Sequence, residues 1–171
     1  MRTLVIPVGC PGSGKTYFCN EIFNRYGIKS VSSDQVRENL YGDAAIQGDY
    51  HEVFDTVYNT INSLFDNGEN IVILDATNVT RHVRCKAIFD TSPTEIIYVI
   101  MPNNLQRSLE NNENRKRIVP RKVVRRMYDS YKRDMPCSDK DFFNEMDCSI
   151  YHLDDESENA ELDFRLENCR G

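Results

Sequence analysis

The fold of this chain follows from one octapeptide near its start, Gly9-Cys10-Pro11-Gly12-Ser13-Gly14-Lys15-Thr16. It has the form G-x-x-x-x-G-K-[ST], which is the phosphate-binding loop of nucleoside-triphosphate enzymes. Residues 4–8 before the loop are apolar and suit a strand, and residues 17–23 after it suit a helix. This is the order that the motif requires, so a chance glycine-rich turn is the weaker explanation. We therefore predict that the chain binds a nucleoside triphosphate.

The residue types in the loop match the chemistry of phosphate binding. Glycines let successive backbone N–H groups point inward as a nest for phosphate oxygens. The N-terminus of the following helix adds the positive end of its dipole. Lys15 is expected to reach the β- and γ-phosphates, and the Thr16 hydroxyl is expected to ligate Mg²⁺. All eight residues are thus candidates for binding ATP or another nucleoside triphosphate together with Mg²⁺.

Length and composition indicate a single domain that spans residues 1–171. No apolar run approaches the ~18 residues of a membrane span. The phosphate loop begins at residue 9, which leaves too little room for a signal peptide, so we predict a cytoplasmic location. The six cysteines lack C-x-x-C or metal-ligand spacing and are expected to be reduced packing residues. None of the three histidines is assigned a chemical role.

The net charge of −6 conceals a strong asymmetry along the chain. Residues 107–133 contain ten basic and three acidic side chains, a local charge of +7, whereas residues 154–171 carry −5. A locally positive surface on an acidic protein suits a polyanionic substrate that must leave again. A solvated helix face carries such charges too, and on charge alone that explanation is favoured.

Apolar runs rich in β-branched residues alternate with helical patterns along the chain. The runs are residues 4–8, 28–31, 71–74, 95–100 and 149–153. This alternation predicts an α/β fold of the P-loop kinase type, with about five mostly parallel strands and helices on both faces of the sheet.

The segments between the later strands have distinct characters. One helix should begin after Asp49, with a capping box to Glu52 and an apolar stripe that belongs to the core. A second should begin at Pro120, since proline is tolerated in the first turn. Residues 103–119 before it are polar and arginine-rich, which indicates a mobile lid over the site. Residues 154–171 form an acidic, partly amphipathic segment.

Polar side chains follow two of the predicted strands directly. Asp34 lies just past the second strand and Arg37 one helical turn later, so both can face one pocket. Residues 75–78, Asp-Ala-Thr-Asn, follow the third strand. Because ligands of open α/β sheets bind beyond the carboxyl ends of the strands, both groups should flank the phosphate loop. Both also stand where helix N-caps occur, and capping is compatible with a functional role.

Phosphoryl transfer to an alcohol is mainly positioning and charge neutralisation through a loose transition state. An ionised carboxylate can accept the proton of the attacking hydroxyl, and Asp34 is the candidate for this general base. Negative charge on the transferring group needs fixed cations. Lys15 and Mg²⁺ supply two, and a lid arginine supplies a third, with Arg115 the first choice and Arg117 the second.

These segments resemble the kinase domain of the bacteriophage and bacterial polynucleotide 5′-hydroxyl kinases, within the wider class of P-loop phosphotransferases. The resemblance runs in order over residues 2–135. Its segments are the phosphate loop, Ser33-Asp34-Gln35-Val36-Arg37, Asp75-Ala76-Thr77-Asn78, Asn112-Glu113-Asn114-Arg115 leading into Val119-Pro120, and Arg126-Met127-Tyr128. The phosphate loop alone is common to many activities, and the other segments narrow the choice.

The resemblance implies how the acceptor is held. Asp34 would be the general base, and Arg37 would engage the terminal phosphodiester of the acceptor. Asp75 would lie near enough to orient Arg37. Thr77 and Asn78 would help to line the acceptor channel. The implied acceptor is the 5′-hydroxyl end of a nucleic acid.

The resemblance also implies a donor side. Lys15 and Thr16 would hold the phosphates and the metal, and Arg115 would be the lid arginine on the donor phosphates. Asn111 stands where the family places a second lid arginine, which leaves Arg117 as the alternative to Arg115. The 3′-phosphatase signature of the phage enzyme is absent, so a kinase without that activity is expected, of phage or prophage character.

The leading hypothesis is therefore ATP-dependent phosphorylation of a 5′-hydroxyl on DNA or RNA. A second hypothesis is a kinase for another hydroxyl, such as a hydroxymethylated base in DNA, a nucleoside, a nucleotide or a sugar. A third is an ATP-binding regulator that has no nucleic-acid substrate. The choice between DNA and RNA and the oligomeric state are not encoded in any motif.

Overall fold

The structure is a computed structural model that describes residues 1–102, 104–115, 117–136 and 146–168. Parts of three predicted features lie outside these ranges. They are residues 103 and 116 of the predicted lid, Cys137 and Cys169, and the end of the acidic segment at residues 169–171.

A five-stranded parallel sheet forms the centre of the molecule. Its strands are β1 (Thr3–Val8), β2 (Lys29–Ser32), β3 (Ile71–Asp75), β4 (Glu95–Ile100) and β5 (Asp147–His152). All pairings are parallel, in the order β2-β3-β1-β4-β5. β1, β3 and β4 are buried along their whole length, as expected for strands covered on both faces. The predicted parallel α/β fold is confirmed.

Helices cover both faces of the sheet. They are α1 (Lys15–Tyr26), α2 (Ser33–Tyr41), α3 (Tyr50–Asp66), α4 (Arg81–Thr91), α5 (Leu105–Glu113), α6 (Arg121–Arg133) and α7 (Glu156–Asn168). Alternate residues of β1 pack against the helices on opposite faces of the sheet, because successive Cβ atoms of a strand point to opposite faces. Leu4 and Ile6 pack with α3 and α4 in one core, whereas Val5 packs with α1 and α7 in the other.

The start of α3 differs in one detail from the predicted capping box. The Asp49 carboxylate accepts hydrogen bonds from the backbone N–H groups of His51 at 2.7 Å and Glu52 at 3.1 Å. The Glu52 side chain, however, accepts from the Tyr41 hydroxyl instead of reaching back to Asp49. The Asp49 N–H donates to that same hydroxyl at 3.1 Å. Tyr41 thus completes the cap and ties the end of α2 to the start of α3.

The α6 helix begins directly after Pro120, as predicted. Val124 and Tyr131 are buried on its inner side, while Arg125 and Arg126 are exposed. The positive charge of this region therefore lies on an outer helix face. Among the described residues, no helix combines the length and apolar character that crossing a membrane would demand.

Candidate active site

The phosphate loop follows β1, the central strand, and divides the carboxyl edge of the sheet into two sides. On one side, Asp34 follows β2 and Asp75 ends β3; on the other, Met101 follows β4 and Leu153 follows β5. Because the strands are parallel, all these ends meet at the same edge as the loop. The β2–β3 side therefore carries the predicted acceptor residues, and the β4–β5 side is left for the rest of the donor nucleotide.

Lys15 is buried within the phosphate loop. Its Nζ donates hydrogen bonds to the carbonyl oxygens of Gly9 and Cys10, both at 2.8 Å, and its side chain is 8% exposed. Burial lowers the pKa of Lys15 to about 8, and the charge of Asp75 opposes this shift. The loop thus holds its cation at a desolvation cost that an anionic ligand would relieve.

Thr16, the last residue of the phosphate loop, is hydrogen-bonded to Asp75 at the end of β3. The Thr16 hydroxyl donates to Asp75 Oδ2 at 3.2 Å. Asp75 is 7% exposed, and burial raises its pKa while nearby Lys15 lowers it. Thr16 is an exposed residue and Asp75 a buried one, and a hydroxyl beside a carboxylate offers hard oxygen donors of the kind that Mg²⁺ prefers when a phosphate supplies the remaining contacts. These two residues fit a magnesium ion.

The position of Asp75 corrects one prediction from the sequence. Asp75 was expected to orient Arg37, but its hydrogen-bond partner is Thr16. Arg37 is instead held by the Ser33 carbonyl oxygen at 3.1 Å and by Asp34 Oδ1 at 3.3 Å. The reason is the register of the sheet: Asp75 aligns with Ser32 at the end of β2, whereas Arg37 stands a further turn along α2.

Asp34 is the meeting point of three arginines. Arg37 and Arg117 both donate to its Oδ1, and Arg115 lies 3.6 Å from its Oδ2. Arg117 comes from the lid, 83 residues away in the sequence. The Asp34 side chain remains about one third exposed. One carboxylate facing three guanidinium groups leaves an excess of positive charge at this edge, which suits an anionic ligand.

Arg37 is the most buried of the three arginines, at 8% exposure. Its guanidinium carbon lies 5.9 Å from the centroid of the Phe54 ring, and its Nε has no acceptor among the described residues. Burial lowers the pKa of Arg37, the charge of Arg117 lowers it further, and Asp34 raises it. The side chain is thus fixed beside Asp34 with hydrogen-bonding capacity to spare.

The two lid arginines occupy different surroundings. Arg115 lies close enough to Lys15 and Asp75 to influence the pKa values of both, so it faces the phosphate loop as well as Asp34. Arg117 instead influences Arg37 and is less exposed than Arg115. The sequence left these two arginines as alternatives for one role, and the structure pairs Arg115 with Oδ2 of Asp34 and Arg117 with Oδ1.

The lid packs directly on the phosphate loop through α5. A Cβ atom at Gly12, which has a φ of 82°, would lie 2.1 Å from the Ser108 carbonyl oxygen, so only glycine permits this approach. Asn111 Nδ2 donates to the Gly12 carbonyl oxygen at 3.0 Å. The fully buried Asn112 exchanges hydrogen bonds with the backbone of Val119 at 2.8 and 3.1 Å. The predicted polar lid is therefore partly core.

Asn78 does not line an open channel, which corrects a second prediction. It has a φ of 51° and no exposed surface. Its Nδ2 donates to the carbonyl oxygens of Pro7, Leu74 and Ala76 at 3.0 to 3.2 Å. These bonds stabilise the turn after β3 and hold the Asn78 side chain in the core. Thr77 is half-buried, and its carbonyl oxygen accepts from the Gly9 N–H at 3.1 Å.

A fully buried arginine that the sequence did not single out supports the same turn. Arg84 donates to the Asn78 carbonyl oxygen at 2.9 Å and to the Asp134 carbonyl oxygen at 2.6 Å. Nearby, the Tyr131 hydroxyl donates to the Met101 carbonyl oxygen at 3.3 Å. The turn after β3 and the end of α6 are therefore joined to the sheet.

Capping does not account for the predicted site residues. Ser32 caps α2 by accepting from the Gln35 N–H at 3.5 Å, and Thr80 caps α4 by accepting from the Val83 N–H at 3.4 Å. Ser32, and not Asp34, therefore caps α2, and the Asp34 carboxylate pairs with the three arginines.

A cleft of about 1000 Å³ lies on the β4–β5 side of the phosphate loop. It is bounded by Gly12 and Ser13 of the loop, by Tyr17 of α1, by Arg107 of α5 and by Asp154 after β5. A smaller cleft of about 530 Å³ beside β2 has none of the predicted site residues in its wall. The larger cleft adjoins the phosphate loop and is open to a nucleoside.

Comparison with known proteins identifies a family. Residues 4–133 match the family described as an AAA domain, a range that includes the phosphate loop, Asp34 and the lid. A comparison with curated proteins finds no match.

Solved structures resemble the chain over its whole length. Kti12 of Chaetomium thermophilum, in complex with ADP-AlF3, is 14% identical with a TM-score of 0.62. The alignment covers 98% of this chain and 99% of Kti12. A gluconokinase from Sinorhizobium meliloti 1021 is 13% identical with a TM-score of 0.58. The alignment covers 99% of this chain and 93% of the gluconokinase. At these identities the likeness shows the fold, which is that of P-loop kinases.

A third similar structure is more closely related in sequence but longer. It belongs to the Pnkp1/Rnl/Hen1 complex, is 26% identical with a TM-score of 0.55, and matches 64% of this chain. The match spans 38% of that longer chain.

Proposed function

We propose that this chain, which belongs to the AAA domain family, is an ATP-dependent polynucleotide 5′-hydroxyl kinase. Such an enzyme transfers the γ-phosphate of ATP to the 5′-hydroxyl end of DNA or RNA. The observation that carries this proposal is Asp34, a partly exposed carboxylate beside a phosphate loop and among three arginines. A carboxylate suits an alcohol acceptor, and the surplus of arginines suits an acceptor that also bears phosphate. The likeness to a chain of the Pnkp1/Rnl/Hen1 complex supports the same reading.

The donor is proposed to lie across the phosphate loop. Its nucleoside would occupy the larger cleft, which adjoins the phosphate loop; the similar fold of Kti12 binds ADP-AlF3. The loop N–H groups, Lys15 and Arg115 would hold the phosphates. Thr16 and Asp75 would hold Mg²⁺, which supplies charge neutralisation at the phosphates when bound. Contact with phosphate would also return Lys15 to its fully protonated form.

Asp34 is proposed to orient the acceptor hydroxyl and to accept its proton as the new O–P bond forms. In the structure described here, its oxygens are engaged by the arginines. Phosphates of the donor and acceptor would compete for these guanidinium groups, because anionic phosphate is a strong bidentate partner of arginine. Arrival of both substrates would thereby free the carboxylate at the moment when it is needed.

The acceptor phosphodiester is proposed to lie between Arg37 and Arg117. Both donate to the same oxygen of Asp34, so a hydroxyl at Asp34 would have its neighbouring phosphate within reach of both. Arg117 thus moves from the donor side, where the sequence placed it, to the acceptor side. Arg115 keeps its proposed role on the donor.

The direct test is incubation of the protein with γ-labelled ATP, Mg²⁺ and oligonucleotides that end in a 5′-hydroxyl, in DNA and RNA forms. Label is expected on these oligonucleotides and not on matched ones that already carry a 5′-phosphate. A parallel panel of nucleosides, nucleotides, sugars and DNA with hydroxymethylated bases reports ADP release. Unlabelled oligonucleotides together with ADP release driven by a small acceptor would contradict the proposal and favour the second hypothesis.

The two lid arginines provide a separate prediction. Arg115→Ala is expected to raise KM for ATP or to lower kcat by about 10²-fold, as for loss of one charge-stabilising group, and to leave KM for the oligonucleotide unchanged. Arg117→Ala is expected to raise KM for the oligonucleotide and to leave KM for ATP unchanged. Steady-state kinetics with each substrate varied in turn measures both effects. Identical kinetic profiles for the two variants would refute the division of roles.

A further inference from the structure

An aromatic pair with one exposed ring lies at the start of α3, beside the proposed acceptor site. The ring centroids of Tyr50 and Phe54 lie 4.5 Å apart, with 33° between the ring planes. Phe54 is buried, whereas Tyr50 is 41% exposed. The Phe54 ring therefore supports the Tyr50 ring from the core side and leaves part of it accessible to a ligand.

The pair is connected to Asp34 through Arg37. The Arg37 guanidinium contacts Asp34 at 3.3 Å and lies 5.9 Å from the Phe54 ring centroid. Tyr50 is near enough to Arg37 to contribute to its electrostatic surroundings, and Lys86 of α4 does the same for Tyr50. From Asp34 outward, the surface thus runs from a carboxylate to a guanidinium and then to an aromatic ring with a cation nearby.

This order of groups matches the parts of a nucleotide strand. A hydroxyl at Asp34 is followed by a phosphodiester at Arg37, and the bases on either side of that phosphodiester come next. Every base has a flat π-face, so an aromatic ring can bind any of them without reading sequence. A supported ring such as Tyr50 also loses little conformational freedom when a base stacks on it.

We propose that the Tyr50 ring stacks on a base at the 5′ end of the acceptor, the first or the second, so that the site recognises a nucleotide and not merely an alcohol next to a phosphate. This inference rests on the proposed function and names the part of the substrate that Tyr50 binds. Tyr50 would bind the base and would take no part in proton transfer.

The test compares the native chain with Tyr50→Ala on a 5′-hydroxyl oligonucleotide. The variant is expected to raise KM for the oligonucleotide about tenfold to a hundredfold, which is the range for loss of one aromatic–base stack. KM for ATP and kcat should change less than twofold. Tyr50→Phe keeps the ring and should match the native chain. Phe89→Ala is the matched control, because Phe89 is also exposed, at 82%, but lies in the last turn of α4.

Oligonucleotides that lack the first or the second base separate stacking from a structural role. One of the two is expected to weaken binding to the native chain by the same factor as Tyr50→Ala, and to cost the variant nothing further, as in a double-mutant cycle. Independent losses that multiply would overturn the inference. Tyr50→Leu, which preserves apolar contact with Phe54 but has no ring, gives the same comparison should the alanine variant unfold.

The outcomes also distinguish this inference from the proposed function. Native chain that labels oligonucleotides, combined with an unchanged KM in Tyr50→Ala, would overturn the stacking role alone. Native chain that labels no oligonucleotide would overturn the proposed function and the stacking role with it.

Discussion

Replacement of Asp34 by asparagine is expected to lower kcat for phosphoryl transfer about 10²–10⁴-fold, the usual effect of removing a general base. The Kd for ATP should change little, because Asp34 follows β2 and its ion-pair partners among the described residues are arginines outside the phosphate loop. Asparagine retains an oxygen that can accept from Arg37 and Arg117, so the site should keep its shape. Single-turnover rates and equilibrium ATP binding measure the two quantities separately.

A suitable control for Asp34→Asn is Glu113→Gln. Glu113 is also a carboxylate paired with an arginine, Arg121, but it belongs to the end of α5 and is well exposed. This variant should retain native kcat. If Asp34→Asn instead abolished ATP binding, Asp34 would serve the donor or the fold, and the proposed general base would have to be abandoned.

Removal of the Lys15 ammonium is expected to abolish tight binding of the triphosphate. Lys15→Ala should lower transfer by about 10²–10³-fold, comparable to the loss of one preorganised charge-stabilising group. Lys15→Met is the better-matched variant, because it fills the buried space with an apolar chain of similar length. Undiminished transfer in either variant would refute the assignment of the donor site.

The affinity of the native chain for ATP should also depend on pH in a defined direction. Burial lowers the pKa of free Lys15 to about 8, and phosphate binds the protonated form. The affinity for ATP should therefore be highest well below pH 8, and above pH 8 it should fall by up to tenfold per pH unit. Lys15→Arg keeps its charge throughout this range and should give a flat profile. A native profile that is equally flat from pH 7.5 to 9.5 would contradict the lowered pKa.

Much of this architecture could be predicted because its signals are local. The phosphate loop carries its own strand and helix context within residues 3–26, and the alternation of apolar runs with helical stripes predicts a parallel sheet. The position of Asp34 at the edge of the site then follows from a general rule about where parallel strands end. Local pattern and global fold agree throughout this part of the chain.

The contacts of the site were less predictable because they join distant segments. Arg117 contacts Asp34, which lies 83 residues earlier in the sequence. The hydrogen bonds between Asn112 and Val119 hold together the two ends of the segment that carries Arg117. No spacing rule selects Arg117 over Arg115 for that contact. The burial of Asn78 was hidden for a related reason: its left-handed backbone turns the side chain toward the carbonyl oxygens of β1 and β3, which a reading of residue types does not reveal.

The buried Arg84 anchors the helix that follows the lid. Its guanidinium fastens both the turn after β3 and the end of α6, and Tyr131 fastens α6 to the end of β4. We therefore expect any movement of the lid during substrate exchange to take place before Pro120, while α6 stays in position. Such an opening would displace Arg115 and Arg117 while α6 and the sheet stay still, so each cycle of the proposed kinase would begin from the same geometry.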